Sequence, residues 1–404
     1  MRRRFAVLAA ALLCCIFLSS CSGSASGSDT VVLNVYNWGQ YISDGSEGTL
    51  DVNAAFEEYY YETFGQRVRV NYTTYASNED MYNKIKSGAT SYDVIVPSDY
   101  MIQRMAEEGM LAELDFDNIP NYEYIEDEFK GLYFDPDEKY SVPYTYGMVG
   151  IIYNSTMVDR EVSGWDVMWD PDYRGKILQF NNPRDAFGTA QYYLGIDVNT
   201  QDREEWHAAF EKLLEQKPYI QSYVMDEIFN KMKNGSAAIA PYYAGDFLSM
   251  YEDNDALEFV YPEEGTNIFI DSMCVPYNAR HKDVAEAYIN FMLSEEAAVA
   301  NAEYIYYASP NRLVIENEEY IECMTDVHED AMQILYPDSV DFEATYFYNL
   351  DADTLQYQNE LWEQLKIESS IEPWIHVTCA VIVAGIVVFF VARYIIRKRR
   401  SAAY

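Results

Sequence analysis

The chain has 404 residues, 49% hydrophobic and 23% charged, which is enough for two or three domains with a sizeable core. Its 66 acidic against 28 basic residues give a net charge of −38. Eight of the basic residues lie at the ends (Arg2, Arg3, Arg4, Arg393, Arg397, Lys398, Arg399 and Arg400), so residues 21–392 carry about −46. A field of that sign excludes nucleic-acid partners, which need a basic footprint. It favours small cations at close range, because salt screens exposed charges within roughly 8 Å. A plain acidic, solvated surface accounts for the charge equally well.

Both ends read as addresses. Residues 1–20 have a basic start and an apolar run from Phe5 to Leu18, the pattern of a secretory signal. Leu18-Ser19-Ser20-Cys21 resembles a bacterial lipobox, which makes Cys21 the expected lipidation site. Residues 21–28 form a Gly/Ser-rich flexible linker. Ile375 to Ala392 is uncharged and just long enough for a membrane helix, expected over 375–396 with Trp374 and Tyr394 at the interfaces. The basic tail, 397–404, then belongs on the cytoplasmic side, and the folded part is expected at the cell membrane on its extracellular or periplasmic side. With Cys14 and Cys15 in the signal and Cys379 in the membrane segment, only Cys274 and Cys323 remain for the folded part. They form one bridge or two thiols, and no Cys-x-x-Cys metal site is present.

The first expected strand, Val31–Tyr36, leads into Asn37-Trp38-Gly39-Gln40-Tyr41, two large aromatics at a strand end, where open α/β sheets keep their ligands. A helix follows from Asp51, a fair N-cap, to Phe64, with Gly65 as its stop. A strand at Val68–Tyr72, a short helix from Asn78 to Gly88 and a strand at Asp93–Val96 come next. Ser98 is placed to cap a helix over Asp99–Glu108. Strand alternating with helix at this spacing predicts βαβ units on a parallel sheet.

Past Tyr140 the rhythm changes, with strands expected at Tyr140–Tyr144 and, separately, at Val149–Tyr153. A second α/β block has strands at Lys176–Phe180 and Ala237–Ala240, and helices at Arg184–Leu194 and Asp202–Glu215. A strand around Ile268–Ser272, helices over Lys282–Leu293 and from Glu295, and a last helix over Asp353–Glu368 complete it. No short fixed period recurs, which excludes solenoids and propellers.

Six stretches, in this order, are similar to the spermidine/putrescine-binding proteins of ABC importers. They are Tyr36–Tyr41, Tyr75–Tyr82, Tyr92–Tyr100, Ser141–Tyr144, Ile270–Ser272 and Tyr307–Asn311, and they cover residues 30–368. The resemblance implies an α/β, two-lobed periplasmic-binding-protein (Venus flytrap) fold with two inter-lobe crossovers, here joined to the C-terminal transmembrane helix. Lobe 1 is expected over 29–147 and 271–315, and lobe 2 over 148–270 and 316–368. It also implies hinge closure on a polyamine and delivery to ABC permease subunits with their ATPase, with no cofactor, no metal and no catalysis.

The chemistry suits the residues. A polyamine needs carboxylates at the spacing of its ammonium groups and flat apolar walls between them. Tyr and Trp faces supply roughly 0.5–2 kcal/mol per cation while covering methylenes. Carried over position by position, the resemblance implies Trp38, Tyr41 and Tyr307 as aromatic walls. It adds Ser98, Asp99 and Tyr100 from the loop after the third strand, Ser98 having helix capping as its competing role. Asp185 is the acid for one ammonium, with Asn182 where the family has a partner acid; Asp99 or Asp246 are the residues that would compensate. Phe269 and Asp271 match an aromatic-x-acid pair, and Tyr242 or Tyr243 a further ring, Tyr242 being the one carried forward.

Two competing readings come from other classes. A secreted hydrolase would use two carboxylates, but the chain has no His-Glu-x-x-His or Gly-x-Ser-x-Gly motif and its four histidines are scattered. A calcium-dependent surface protein is raised by Asp115-x-Asp117, Asp135-x-Asp137 and Asp351-x-Asp353, none of which continues into an EF-hand loop. Another small organic cation is the alternative within the same fold.

Overall fold

The structure is a computed structural model and describes residues 30–337 and 343–367. The signal, the Cys21 site, the 21–28 linker, the 375–396 membrane segment and the 397–404 tail lie outside these residues. They divide into two compact units, with boundaries at Tyr146/Gly147, Phe269/Ile270 and Asp326/Val327.

The first unit opens with β1 (Val31–Trp38), α1 (Val52–Phe64), β2 (Val68–Tyr75), α2 (Asn78–Ser87), β3 (Val94–Ile95) and α3 (Asp99–Glu107). β1 runs parallel to β2 in register from Val31↔Val68 to Trp38↔Tyr75, and parallel to β3. Local chemistry sets the helix ends. The Asp51 carboxylate accepts from Ala54 N, Ser77 from Asp80 N, and Gly65 and Gly88 close α1 and α2 in the left-handed region. Ser77, not Asn78, is the cap of α2, which leaves the Asn78 side chain free for other work.

β4 (Ser141–Asn154) carries the chain into the second unit. There follow β5 (Ile177–Phe180), α4 (Pro183–Leu194), α5 (Arg203–Gln216), β6 (Ile220–Val224), α6 (Glu227–Lys233), β7 (Ile239–Tyr243), α7 (Ala244–Tyr251) and β8 (Leu257–Val260). β4 is antiparallel to β7 and β8, and β5 is parallel to β7 and β6. β9 (Thr266–Cys274) returns the chain to the first unit, where Ile95 pairs with Cys274. α8 (Lys282–Met292) and α9 (Glu295–Ile305) follow in that unit. In the second unit β10 (Ala344–Tyr346) lies parallel to the Thr266–Ile268 end of β9, and α10 (Ala352–Ile367) follows. The cores are apolar side chains such as Leu33, Phe56, Met81 and Ile102 in the first unit and Trp165, Phe180, Phe187 and Trp206 in the second, all buried.

Three expectations are corrected. The fold class included a transmembrane helix, yet among the described residues no helix is long and apolar enough to cross a membrane. Among the described residues the architecture is two α/β units of mixed sheet and helices. The two strands expected on either side of Gly147 are one continuous strand, β4. The pattern breaks there because Phe269 occupies the space: a Cβ on Gly147 would meet Phe269 Cζ at 2.9 Å. Third, Ser98 stands at the N-cap of α3 but its hydroxyl makes no capping bond.

The Asp-x-Asp stretches prove to be turn and cap residues. Asp115 accepts from Asp117 N, Asp351 from Thr354 N, and Asp135 from the N–H groups of Lys139, Tyr140 and Ser141. These oxygens are spent on backbone donors, and no group of metal-ligating side chains occurs among the described residues. Cys274 is a buried thiol and Cys323 an exposed one.

Candidate binding site

In the first unit the candidate residues converge on Asp271. β9 places this aspartate in the sheet, 4% exposed, in a bridge with Ser98. The Ser98 hydroxyl donates to Asp271 Oδ1 at 2.6 Å and the Tyr41 hydroxyl to Oδ2 at 2.7 Å. Thr145 lies 2.6 Å from the Tyr41 oxygen, and since Tyr41 has spent its single proton on Asp271, Thr145 is the donor. Asn78 holds Ser98 from both sides, donating to its hydroxyl at 3.0 Å and accepting its N–H at 3.1 Å. Hydrogen bonds to a charged group are each worth about 1.5–3 kcal/mol, so the pull of Asp271 outweighs the helix cap that Ser98 forgoes.

Aromatic rings pack around the Tyr41 that holds this carboxylate and along the neighbouring strand ends. Tyr41 meets Tyr307 edge-on at 5.0 Å and Tyr144 at 5.8 Å. Trp38 leans on Tyr75 at 4.7 Å, and both donate to the Val96 carbonyl, which fixes the indole by its N–H. Burial, with the Asp271 charge as the next cause, raises the Tyr41 and Tyr75 phenols well above their ordinary range, so both stay neutral donors. Tyr100 turns its hydroxyl to Glu79 at 3.0 Å. Asp99 is 1% exposed; its Oδ1 accepts Tyr100 N at 2.7 Å and its Oδ2 has no hydrogen-bond partner.

In the second unit the residues converge on Asp185, in the first turn of α4. Asn182 caps that helix, its Oδ1 accepting Asp185 N at 2.9 Å while its Nδ2 donates to Asp185 Oδ2 at 2.7 Å. The reciprocal arrangement resembles a capping box. The Tyr243 hydroxyl donates to the same oxygen at 2.7 Å, and the Tyr243 ring meets Phe269 edge-on at 5.2 Å. Burial raises the Asp185 carboxyl above its usual range, opposed by the Tyr243 and Asn182 bonds and by Arg184. Tyr242 is 3% exposed and stacks on Phe180 at 5.4 Å. The Tyr243 ring rests 5.4 Å from the same Phe180 ring and 4.8 Å from Tyr242, and it is Tyr243 that reaches the acid. Asn78, Thr145, Tyr75 and Tyr243 thus join the candidate residues. Only Tyr243 was among those weighed from sequence, because the others act across contacts that the chain order does not reveal.

Two mixed α/β units, each holding a carboxylate braced by neutral donors among aromatic rings, define the architecture of a solute-binding protein. The chain belongs to the bacterial extracellular solute-binding proteins, whose family model matches residues 54–325. It is 31% identical over 345 residues to the spermidine/putrescine-binding periplasmic protein of Salmonella typhimurium, covering 85% of this chain and 94% of that one. It is 25% identical to the putrescine-binding periplasmic protein SpuD of Pseudomonas aeruginosa, covering 88% and 97% of the two chains. Among solved structures, a putative spermidine/putrescine ABC transporter protein from Listeria monocytogenes superimposes with a TM-score of 0.75 at 34% identity, over 84% of this chain and all of the other.

Proposed function

We propose that this protein is the extracellular polyamine receptor of an ABC importer, binding spermidine or putrescine and delivering it to permease subunits driven by their ATPase. The observation that carries the reading is Asp271: a carboxylate 4% exposed, held by the hydroxyls of Ser98 and Tyr41, with the Tyr41 ring packed edge-on against Tyr307. In this reading Asp271 takes one ammonium in the first unit and Asp185 takes one in the second. Trp38, Tyr41, Tyr307 and Phe269 cover methylenes, with Ser98, Asp99, Tyr100, Asn182 and Tyr242 as supporting residues and Tyr243 added to them. A desolvated ammonium needs a paired acid, and the rings add roughly 0.5–2 kcal/mol per cation. The names and lengths of the relatives support the assignment.

Calorimetry with spermidine and putrescine is expected to show binding in or below the micromolar range, and no heat with either would overturn it. Asn182, neutral where the resemblance calls for an acid, favours a second reading in which the ligand is an organic cation of lower charge. The same titration with monoamines and quaternary amines separates the two. Anchoring through a lipid on Cys21 is part of the proposal, and mass spectrometry of the mature N-terminus tests it.

A further inference from the structure

Asp99 is a candidate acid to which the binding reading assigns no ammonium. It sits next to Ser98 at the start of α3, 1% exposed. Its Oδ1 accepts the Tyr100 N–H, and its Oδ2 is buried without a hydrogen-bond partner. No ion pair among the described residues includes it. The groups facing it are the Asp271 carboxyl and the Ile270 N–H from β9, the Tyr133 hydroxyl from the segment before β4, and the Tyr100 N–H of its own helix. All but Asp271 are uncharged.

Asp271 and Asp99 therefore differ in a way that decides their protonation. Both oxygens of Asp271 accept from hydroxyl donors, the arrangement that suits a carboxylate. Asp99 has the Tyr100 N–H on Oδ1 with only the neutral Ile270 N–H and Tyr133 hydroxyl besides, no counter-ion and a negative neighbour. A buried ionised carboxyl in that position costs several kcal/mol, and such groups take up a proton instead.

We propose that Asp99 holds a proton on Oδ2 in the ligand-free protein and releases it to solvent when an organic cation docks at Asp271, so that ligand uptake and proton release are coupled. The inference rests on the cation-binding reading of Asp271. The bond broken is the Asp99 O–H, and the proton passes to buffer. A cation beside Asp271 reverses the sign of the local field, which favours the ionised form of Asp99. Affinity then rises with pH for as long as the free protein keeps Asp99 protonated. Burial, the largest cause, pushes the Asp99 carboxyl well above the usual carboxylate range, and Asp271 adds to the shift.

Two measurements on the wild type and Asp99→Asn test this. The first is calorimetry with putrescine and spermidine at matched pH in buffers of different ionisation enthalpy, from about pH 5 to about pH 8. The wild type is expected to release about one proton per ligand at the acidic end, and the variant about none. Equal proton release by both would overturn the coupling. The second is ligand-free thermal unfolding over the same range. Because the folded pKa lies above the unfolded one, the folded state holds the extra proton between them, and stability falls as pH rises through that window. The wild type is expected to lose stability relative to the variant with rising pH, and a flat difference would overturn the proton on Asp99 whether or not any ligand binds. If no polyamine binds while the stability difference slopes as expected, the polyamine reading fails and takes the coupling with it, leaving the proton on Asp99 standing. Asp99→Ser serves in both measurements if the asparagine variant does not fold.

Discussion

The two units hold their acids by different means. Asp271 lies in a strand with a hydroxyl on each oxygen, and those hydroxyls are themselves held by Asn78 and Thr145. Asp185 lies in the first turn of a helix, where the capping Asn182 and Tyr243 share a single oxygen, Oδ2. The first arrangement is a carboxylate fixed from all sides, with a second acid buried next to its serine. The second is a helix-terminal acid whose neighbour is neutral, with α4's positive end beside it. A cation at Asp271 meets a preorganised negative charge. A cation at Asp185 meets one already offset by the helix end and by Arg184. The grip on a ligand should therefore be unequal, stronger in the first unit.

The largest test of that inequality is Asp271→Asn. It keeps the shape and removes the charge, and polyamine affinity measured by calorimetry is expected to fall more than tenfold, beyond about 1.4 kcal/mol. An unchanged affinity would show that the charge lies elsewhere. Asp185→Asn comes next, with an expected loss of about threefold to tenfold. A loss at Asp185 larger than at Asp271 would reverse the comparison.

The third test concerns what holds Asp271. Ser98→Ala removes one of its two donors without removing a helix cap, since the hydroxyl makes none. A double-mutant cycle of Ser98→Ala with Asp271→Asn, read by denaturant unfolding, is expected to show a coupling of about 1 kcal/mol or more. Additive losses would mean that the bond between the serine and Asp271 adds nothing to stability.

Ser98 also marks the border of what sequence reasoning reaches. Strands, helices and their stops in the first unit were legible because Asp51, Gly65 and Gly88 act on their own neighbours. A serine before a helix is likewise a capping signal, and its position is that of a cap. Its use is decided by Asp271, distant in sequence and adjacent in the sheet, and no local pattern carries that. Gly147 is a parallel case. It reads as a break between strands, yet β4 runs through it, because the requirement for glycine comes from Phe269 and not from a turn. At β7 Tyr242 and Tyr243 share the Phe180 ring, and the strand pattern cannot say which of them reaches the acid.

The smallest expected effect probes the weaker unit from the other direction. Asn182→Asp keeps a good N-cap for α4 but replaces the amide that donates to Asp185 Oδ2 with a second acid. Without ligand, two carboxyls then share the end of the helix; one is driven towards protonation, and unfolding should show a loss of about 1 kcal/mol. With a polyamine, the added charge is matched by an ammonium, and affinity is expected to rise by about twofold to fivefold. Calorimetry on this variant thus measures how far the second unit falls short of the first. If affinity falls instead, Asn182 matters more as the donor that orients Asp185 than as a missing charge, and the inequality between the units would lie in geometry.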